Sequence, residues 1–117
     1  RVPPRYPSWD QVRWFRATYP HYIGLLQASA GGVFTSVRQK TKMSEMGYIK
    51  GTPDFALFVV TTTRPGLFME MKKTRGGKVS AAQHEIADAL EAQGYEVHRS
   101  VKGFREFRQI VEKYLTE

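Results

Sequence analysis

A continuous apolar run covers residues 55–60, which read Phe-Ala-Leu-Phe-Val-Val. A strand that is exposed on one face alternates apolar and polar positions, whereas a strand that is covered on both faces does not. The run therefore predicts a buried central strand that begins just after Asp54. Residues 61–66 predict a turn, and residues 67–72 predict a second strand that forms a hairpin with the first.

The centre of this turn decides which residues of the hairpin face each other. A turn centred near Thr63 sets Asp54 opposite Lys72 and diagonal to Glu70. All three side chains would then lie within reach of one shared ion. The glycine pair at 76–77 ends the second strand.

Helical spacing appears near both ends of the chain. Ser8 and Gln11 predict a capping box that opens a helix, with Val12 and Phe15 on one face, and this helix stops before Pro20. The closing segment predicts the cleanest amphipathic helix, because its apolar residues recur at helical spacing over three turns. These residues are Phe104, Phe107, Ile110, Val111, Tyr114 and Leu115.

A further capping-box pattern, Ser80 to Gln83, predicts a helix between the hairpin and the closing helix. Gly94 suits the left-handed position that follows a helix, and residues 95–98 alternate like a strand. The inward side chains of this helix are predicted to be Ile86, Ala89 and Leu90.

The remaining stretches carry weaker signals. Residues 23–34 predict a short strand with turns, residues 35–46 a weak helix, and residues 47–53 a loop. The order of elements predicts the α/β class, as a small mixed β-sheet flanked by helices. Since the 117 residues contain no linker or repeat, we expect one domain over residues 1–117.

The net charge of +7 favours a polyanionic partner, although a generic basic surface would explain the same composition. Clustering favours the partner, because the basic residues gather in three groups while Glu85, Asp88 and Glu91 lie together on one predicted helix. The three groups are Arg38, Lys40, Lys42 and Lys50; Lys72, Lys73, Arg75 and Lys78; and Arg99, Lys102, Arg105 and Arg108.

The absence of cysteine excludes disulfides and thiolate metal sites. No apolar run approaches the roughly 20 residues that a membrane-spanning helix needs, so no membrane partner is expected. Residues 1–7 are too short and too rich in proline for a secretory signal, so a cytoplasmic location is the default expectation.

Two carboxylates in core strands require an explanation. Asp54 and Glu70 would repel each other across the hairpin unless a divalent cation lay between them. Oxygen ligands without cysteine or histidine suit Mg²⁺ or Mn²⁺, and the backbone carbonyl of Met71 would add a further ligand. Lys72 lies on the same strand face as Glu70, about 7 Å further along. The alternative is a surface hairpin held by a salt bridge, but both acids interrupt strands of core quality.

Several motifs in order now resemble a known family. Pro53-Asp54 followed by Glu70-Met71-Lys72 is similar to the PD-(D/E)xK nuclease superfamily. More narrowly, the sequence resembles the virus-type replication-repair nuclease (VRR-NUC) domain over nearly its whole length. The residues that carry this likeness are those at 11–20, 51–55, 66–72, 77–83, 90, 94–97 and 114–115.

The resemblance implies a PD-(D/E)xK nuclease-like fold, dependence on Mg²⁺ or Mn²⁺, and action on branched or flapped DNA. It also implies a homodimer that acts like a Holliday-junction resolvase, as in stand-alone phage proteins, and a place in DNA repair. A phage-encoded chain would then work in the host cytoplasm. Carried over by position, Asp54 and Glu70 bind metal, Lys72 is catalytic, and Gln83 supports the site from its helix.

The sequence departs from the family pattern at two positions. Many members have a glutamate where this chain has Ser8, and many have an asparagine where it has Ala30. Loss of the glutamate puts a second metal site in doubt, for which Asp10 or Glu45 would be the substitutes.

Basic residues near the predicted site are expected to contact the DNA backbone. They are Lys73, Arg75 and Lys78 after the second strand, with Arg38, Lys40, Lys42 and Lys50 before the first. Two other functions stay open: a module that grips branched DNA without cleaving it, and a basic adaptor that docks a replication protein.

Overall fold

A computed structural model describes residues 9–29, 45, 47, 49–73 and 75–116 of the chain. Among the described residues, three consecutive strands follow the first helix and a 3₁₀ turn at Pro20–Tyr22, and a helix, a strand and a helix complete the chain. They are α1 (Trp9–Thr18), β1 (Leu26–Ala28), β2 (Phe55–Leu57), β3 (Leu67–Met71), α2 (Ala81–Ala92), β4 (Glu96–Val101) and α3 (Gly103–Leu115).

The four described strands form one mixed sheet in the order β1-β2-β3-β4. The β1–β2 and β2–β3 pairs are antiparallel, whereas β4 runs parallel to β3. Because a parallel pair needs a crossover, α2 returns the chain from the end of β3 to the start of β4. This arrangement confirms the predicted α/β class with a small mixed sheet and flanking helices.

One face of the sheet carries the hydrophobic core, under α1 and α3. Phe55 and Met69 from the strands pack with Phe107 from α3, and the phenol of Tyr114 donates to the Val59 carbonyl at 2.6 Å. Nine side chains in this cluster are essentially inaccessible: Phe15, Phe55, Leu57, Leu67, Met69, Val101, Phe107, Val111 and Tyr114. The opposite face of the sheet receives α2, which packs against β4.

The expected buried strand over residues 55–60 is wrong beyond Leu57. Phe58 is 46% exposed and Val60 is 75% exposed. Alternate positions after Leu57 turn away from the core, and Phe58 forms a T-shaped contact with the Phe68 ring, at 6.2 Å between centroids. The run is therefore continuous in sequence without being buried throughout.

The predicted pairing register of the two hairpin strands is also wrong, by two residues. Phe55 pairs with Met69 and Leu57 with Leu67. Continued by one residue, this register sets Asp54 opposite Glu70 rather than opposite Lys72. Since side chains alternate between faces with a period of two, the error leaves the predicted side chains on their predicted face.

The first helix ends before Pro20, as predicted, and the side chain of Gln11, one of the two predicted capping-box residues, is buried. Gln11 is only 3% exposed and its Nε2 points inward to Met71 Sδ at 4.0 Å. Ser8, its expected partner, lies outside the described residues, as do Ala30 and most of the weak helix expected over residues 35–46.

The predicted capping box of α2 is present in both directions, and Gly94 follows the helix with a φ of 97°. The buried residue on this helix is Ala87, however, while the expected Ala89 is exposed. The alternating segment after Gly94 is a strand as predicted, extended to Val101. No helix within the described ranges is long and apolar enough to cross a membrane.

Candidate functional site

Asp54 lies at the end of the β2–β3 ladder, where the backbone continues to pair. Its carbonyl accepts from the Ser29 amide at 2.7 Å, which extends the contact with β1. Its side-chain Oδ2 accepts from the Met71 amide at 2.8 Å. The carboxylate thus occupies a place that a backbone carbonyl would take in a regular ladder, and this fixes it beside β3.

Glu70 faces Asp54 from β3 and is 8% exposed. Its Oε2 lies 3.6 Å from Lys72 Nζ, while its buried Oε1 has no hydrogen-bond partner among the described residues. Burial first, and then the neighbouring charge of Asp54, raise the pKa of Glu70 to about 8 against the opposing effect of Lys72. A carboxylate oxygen buried in this way requires a proton or a cation.

The amine of Lys72 is held from the other side by α2. Lys72 Nζ donates to Gln83 Oε1 at 2.7 Å, and the same oxygen accepts from the Ser80 amide at 2.9 Å. Ser80 Oγ in turn accepts from the Gln83 amide at 3.1 Å, which completes the capping box. One amide oxygen therefore both begins the helix and anchors the lysine.

Gly51 brings the loop before Asp54 against the start of α2. Its φ is +95°, and a Cβ at this position would lie 2.5 Å from the Ala82 carbonyl oxygen. A residue without a side chain is required on both grounds. This close contact ties the loop that carries Asp54 to the helix that carries Gln83.

The side chains suit a hard divalent cation. Asp54 and Glu70 offer carboxylate oxygens at adjacent positions, and the unpartnered Glu70 Oε1 is an oxygen that a cation would satisfy. Within the described residues, no three acidic, histidine or cysteine side chains form a group. Two carboxylates fit Mg²⁺, which typically takes one or two protein carboxylates and keeps several waters. The predicted contribution of the Met71 carbonyl stays a prediction.

The expected substitutes for the missing glutamate do not join the site. Asp10 pairs with Arg13 at 3.7 Å on an exposed face of α1, and Glu45 is exposed. The basic residues expected to contact DNA are exposed where they are described, namely Lys50, Lys73, Arg75 and Lys78. Arg38, Lys40 and Lys42 lie outside the described residues.

A cluster of side chains around Arg99, beside the site, was not predicted from the sequence. Arg99 on β4 donates to His84 Nδ1 at 2.8 Å and to Asp88 Oδ1 at 2.6 Å, and it also bonds Glu91. The hydrogen bond to Asp88, and then that to Glu91, raise the pKa of Arg99. The regular spacing of His84, Asp88 and Glu91 along α2 is visible in the sequence, but their partner on a distant strand is not.

No protein-family model matches the sequence, and no curated protein is significantly similar to it. The three-dimensional fold, in contrast, matches that of a solved structure described as "VRR_NUC domain protein". The match covers 98% of this chain and 92% of that one, with a TM-score of 0.71 and 19% sequence identity.

The chain is thus an α/β protein whose mixed sheet brings two acids and a lysine together at the end of a hairpin. Its fold is that seen in a VRR-NUC domain protein. The resemblance noted in the sequence is confirmed at the level of the fold, and the chemistry is a separate question.

Proposed function

We propose that this protein is a Mg²⁺- or Mn²⁺-dependent endonuclease that hydrolyses phosphodiester bonds in branched or flapped DNA. The observation that carries the proposal is the convergence of Asp54, Glu70 and Lys72, with one oxygen of Glu70 buried and unpartnered among the described residues. The shared fold with a VRR-NUC domain protein supports the same chemistry. The excess of basic residues supports a nucleic-acid substrate.

Each residue of the site has a role that its position supports. Asp54 and Glu70 hold the cation, and the bond from the Met71 amide keeps the Asp54 carboxylate in place. Bound there, the cation supplies Lewis acidity toward the scissile phosphate and lowers the pKa of attacking water. Lys72 orients the nucleophilic water and balances the negative charge that develops on the phosphate. Gln83 positions the amine of Lys72.

Water is the nucleophile in this proposal, and the products carry 5′-phosphate and 3′-hydroxyl ends. The exposed residues Lys50, Lys73, Arg75 and Lys78 would contact the backbone on either side of the cut. The proposed preference for junctions and the proposed homodimer are supported by the family resemblance alone.

The direct test is to incubate the protein with junction, flap and linear duplex DNA in the presence of Mg²⁺ or Mn²⁺. We expect branched substrates to be cut, and Asp54→Asn or Glu70→Gln to lower the rate at least about 100-fold because each removes a charged ligand. Asp10→Asn is the matched control, since it removes an acid that is exposed on α1 and paired with Arg13. Absence of cutting by the wild type, or undiminished cutting by both site variants, defeats the proposal.

A second candidate is a module that binds branched DNA without cleaving it. The small number of metal ligands favours this reading. Among the described residues, two carboxylates lie together at the site, those of Asp54 and Glu70. Titration with Mn²⁺ distinguishes the two functions. A nuclease shows a saturable site that Glu70→Gln weakens, whereas a pure binder shows no such site.

A further inference from the structure

Helix α2 buries one small hydrophobic side chain fully, while its larger ones, Ile86 and Leu90, are half-buried. Within this helix Ala87 is the buried residue, whereas α3 buries Phe107, Val111 and Tyr114. Apolar burial is the main force that docks a helix onto a sheet. The position of α2 therefore depends on other contacts more than that of α3 does.

An arginine from β4 supplies several of these contacts. Arg99 Nη1 donates to His84, while Nη2 bonds both Asp88 and Glu91. The three partners are spaced by four and three residues, so one guanidinium contacts two successive turns of the helix. The Arg99 side chain is 24% exposed, against 70% for Asp88 and 46% for Glu91, which makes it the inner member of the cluster.

Arg99 also stands beside the candidate active site. The pairing of β4 with β3 shifts by one residue between Met69 and Met71, opposite Glu70. Such a bulge redirects side chains and is frequent next to active sites. Arg99 lines the same small cleft as Glu70 and Gln83.

Helix α2, which Arg99 contacts, also carries Gln83, the residue that binds Lys72. Gln83 directly precedes His84, and its Oε1 accepts from Lys72 Nζ at 2.7 Å. A displacement of α2 by about 1 Å would take this bond beyond the range of a hydrogen bond. We propose that Arg99 is a positioning residue, which fixes α2 so that Gln83 keeps the amine of Lys72 beside Glu70. The catalytic consequence rests on the proposed function, whereas the structural one does not.

The structural consequence is tested through the reactivity of Lys72. Its side chain is 12% exposed and its amine is bonded, so acylation by a water-soluble amine reagent should be slow. In Arg99→Met we expect Lys72 to be acylated several-fold faster, as measured by peptide mass spectrometry. The matched control is Arg13→Met, which also removes one arginine of an ion pair, but from an exposed position on α1. Equal acylation of Lys72 in Arg99→Met and the wild type overturns the proposal.

The catalytic consequence is tested by epistasis. Arg99→Met should lower kcat about 10- to 100-fold with KM and Mn²⁺ affinity unchanged, because the lysine is misplaced while the metal ligands are intact. In a Gln83→Met background the same change should have no further effect, since the contact through which Arg99 acts is already lost. Independent, multiplicative effects of the two variants contradict the proposal, as does a higher KM with kcat preserved, the sign of direct phosphate binding.

Two further arms keep the test decisive. If Arg99→Met does not fold, the double variant Asp88→Asn/Glu91→Gln releases the arginine from the helix instead, and the same change in Lys72 acylation is expected. A wild type that cuts no DNA refutes the proposed nuclease function, while the acylation experiment still decides whether Arg99 positions the lysine.

Discussion

The two faces of the sheet are built by different forces. The face under α1 and α3 is held by nine buried apolar side chains. On the other face α2 buries Ala87 and is joined to the sheet through Arg99, the Lys72–Gln83 bond and the close approach of Gly51. Apolar packing tolerates small shifts, whereas hydrogen bonds and ion pairs fix atoms in place. The candidate chemistry lies on the face where atoms must be placed most accurately.

The largest difference between the faces should appear in stability. Phe107→Ala is expected to lower the free energy of unfolding by about 3–5 kcal/mol, because it opens a cavity at a residue with no exposed surface. Phe58→Ala, on the opposite face and 46% exposed, removes the same side chain and should cost about 1 kcal/mol or less. Urea denaturation measures both variants, and equal losses would remove the contrast.

A second effect on stability should come from the charge of Glu70 in metal-free protein. Because the pKa is raised from 4.5 to about 8, the folded protein holds a proton that the unfolded chain releases at lower pH. Stability from this group is full below about pH 4.5 and is lost as the pH rises to about 8, by at most about 1.4 kcal/mol per pH unit. Urea denaturation in a chelator at several pH values shows the effect as the difference from Glu70→Gln.

Added Mn²⁺ should reverse this loss in the wild type, since a cation satisfies the buried oxygen in place of the proton. Glu70→Gln should respond less. A wild type whose stability in chelator rises between pH 5 and 8 relative to Glu70→Gln would contradict the sign that burial gives.

The smallest effect is expected at the start of α2. Ser80→Ala removes the hydroxyl that caps the helix and should cost about 1 kcal/mol. Ser80→Thr retains the hydroxyl and should recover most of the loss. Thermal denaturation of the three proteins provides the comparison, and a loss shared by Ser80→Thr would show that the hydroxyl is not the cause.

The elements that could be predicted from the sequence are those that depend on local signals. The capping box at Ser80 and Gln83, the glycine after α2 and the spacing of α3 each lie within a few residues. The residue opposite Asp54 was missed by two positions, because the pairing of β2 with β3 centres on Thr62 rather than on Thr63. The error did no harm to the site, since a shift of two preserves the face of the strand.

What could not be predicted depends on contacts between distant segments. The partners of Arg99 lie 8 to 15 residues away on another element, and the bulge in β4 has no local marker. The spacing of Gln11 predicted a capping box with Ser8, and the burial of its side chain beside Met71 could not be predicted from that spacing. Sequence therefore located the candidate site more readily than the contacts that surround it.

The side-chain oxygen of Gln83 accepts hydrogen bonds from both Ser80 and Lys72. It thereby links the start of helix α2 to the alignment of the lysine amine. The first turn of the helix and the alignment of the amine use the same atom, so the lysine is aligned only where the helix has begun. A newly synthesised chain whose second face has not yet assembled has an unanchored lysine. If the protein cuts DNA, a chain in which α2 has not yet docked therefore lacks the aligned lysine and should cut the nucleic acid around it more slowly.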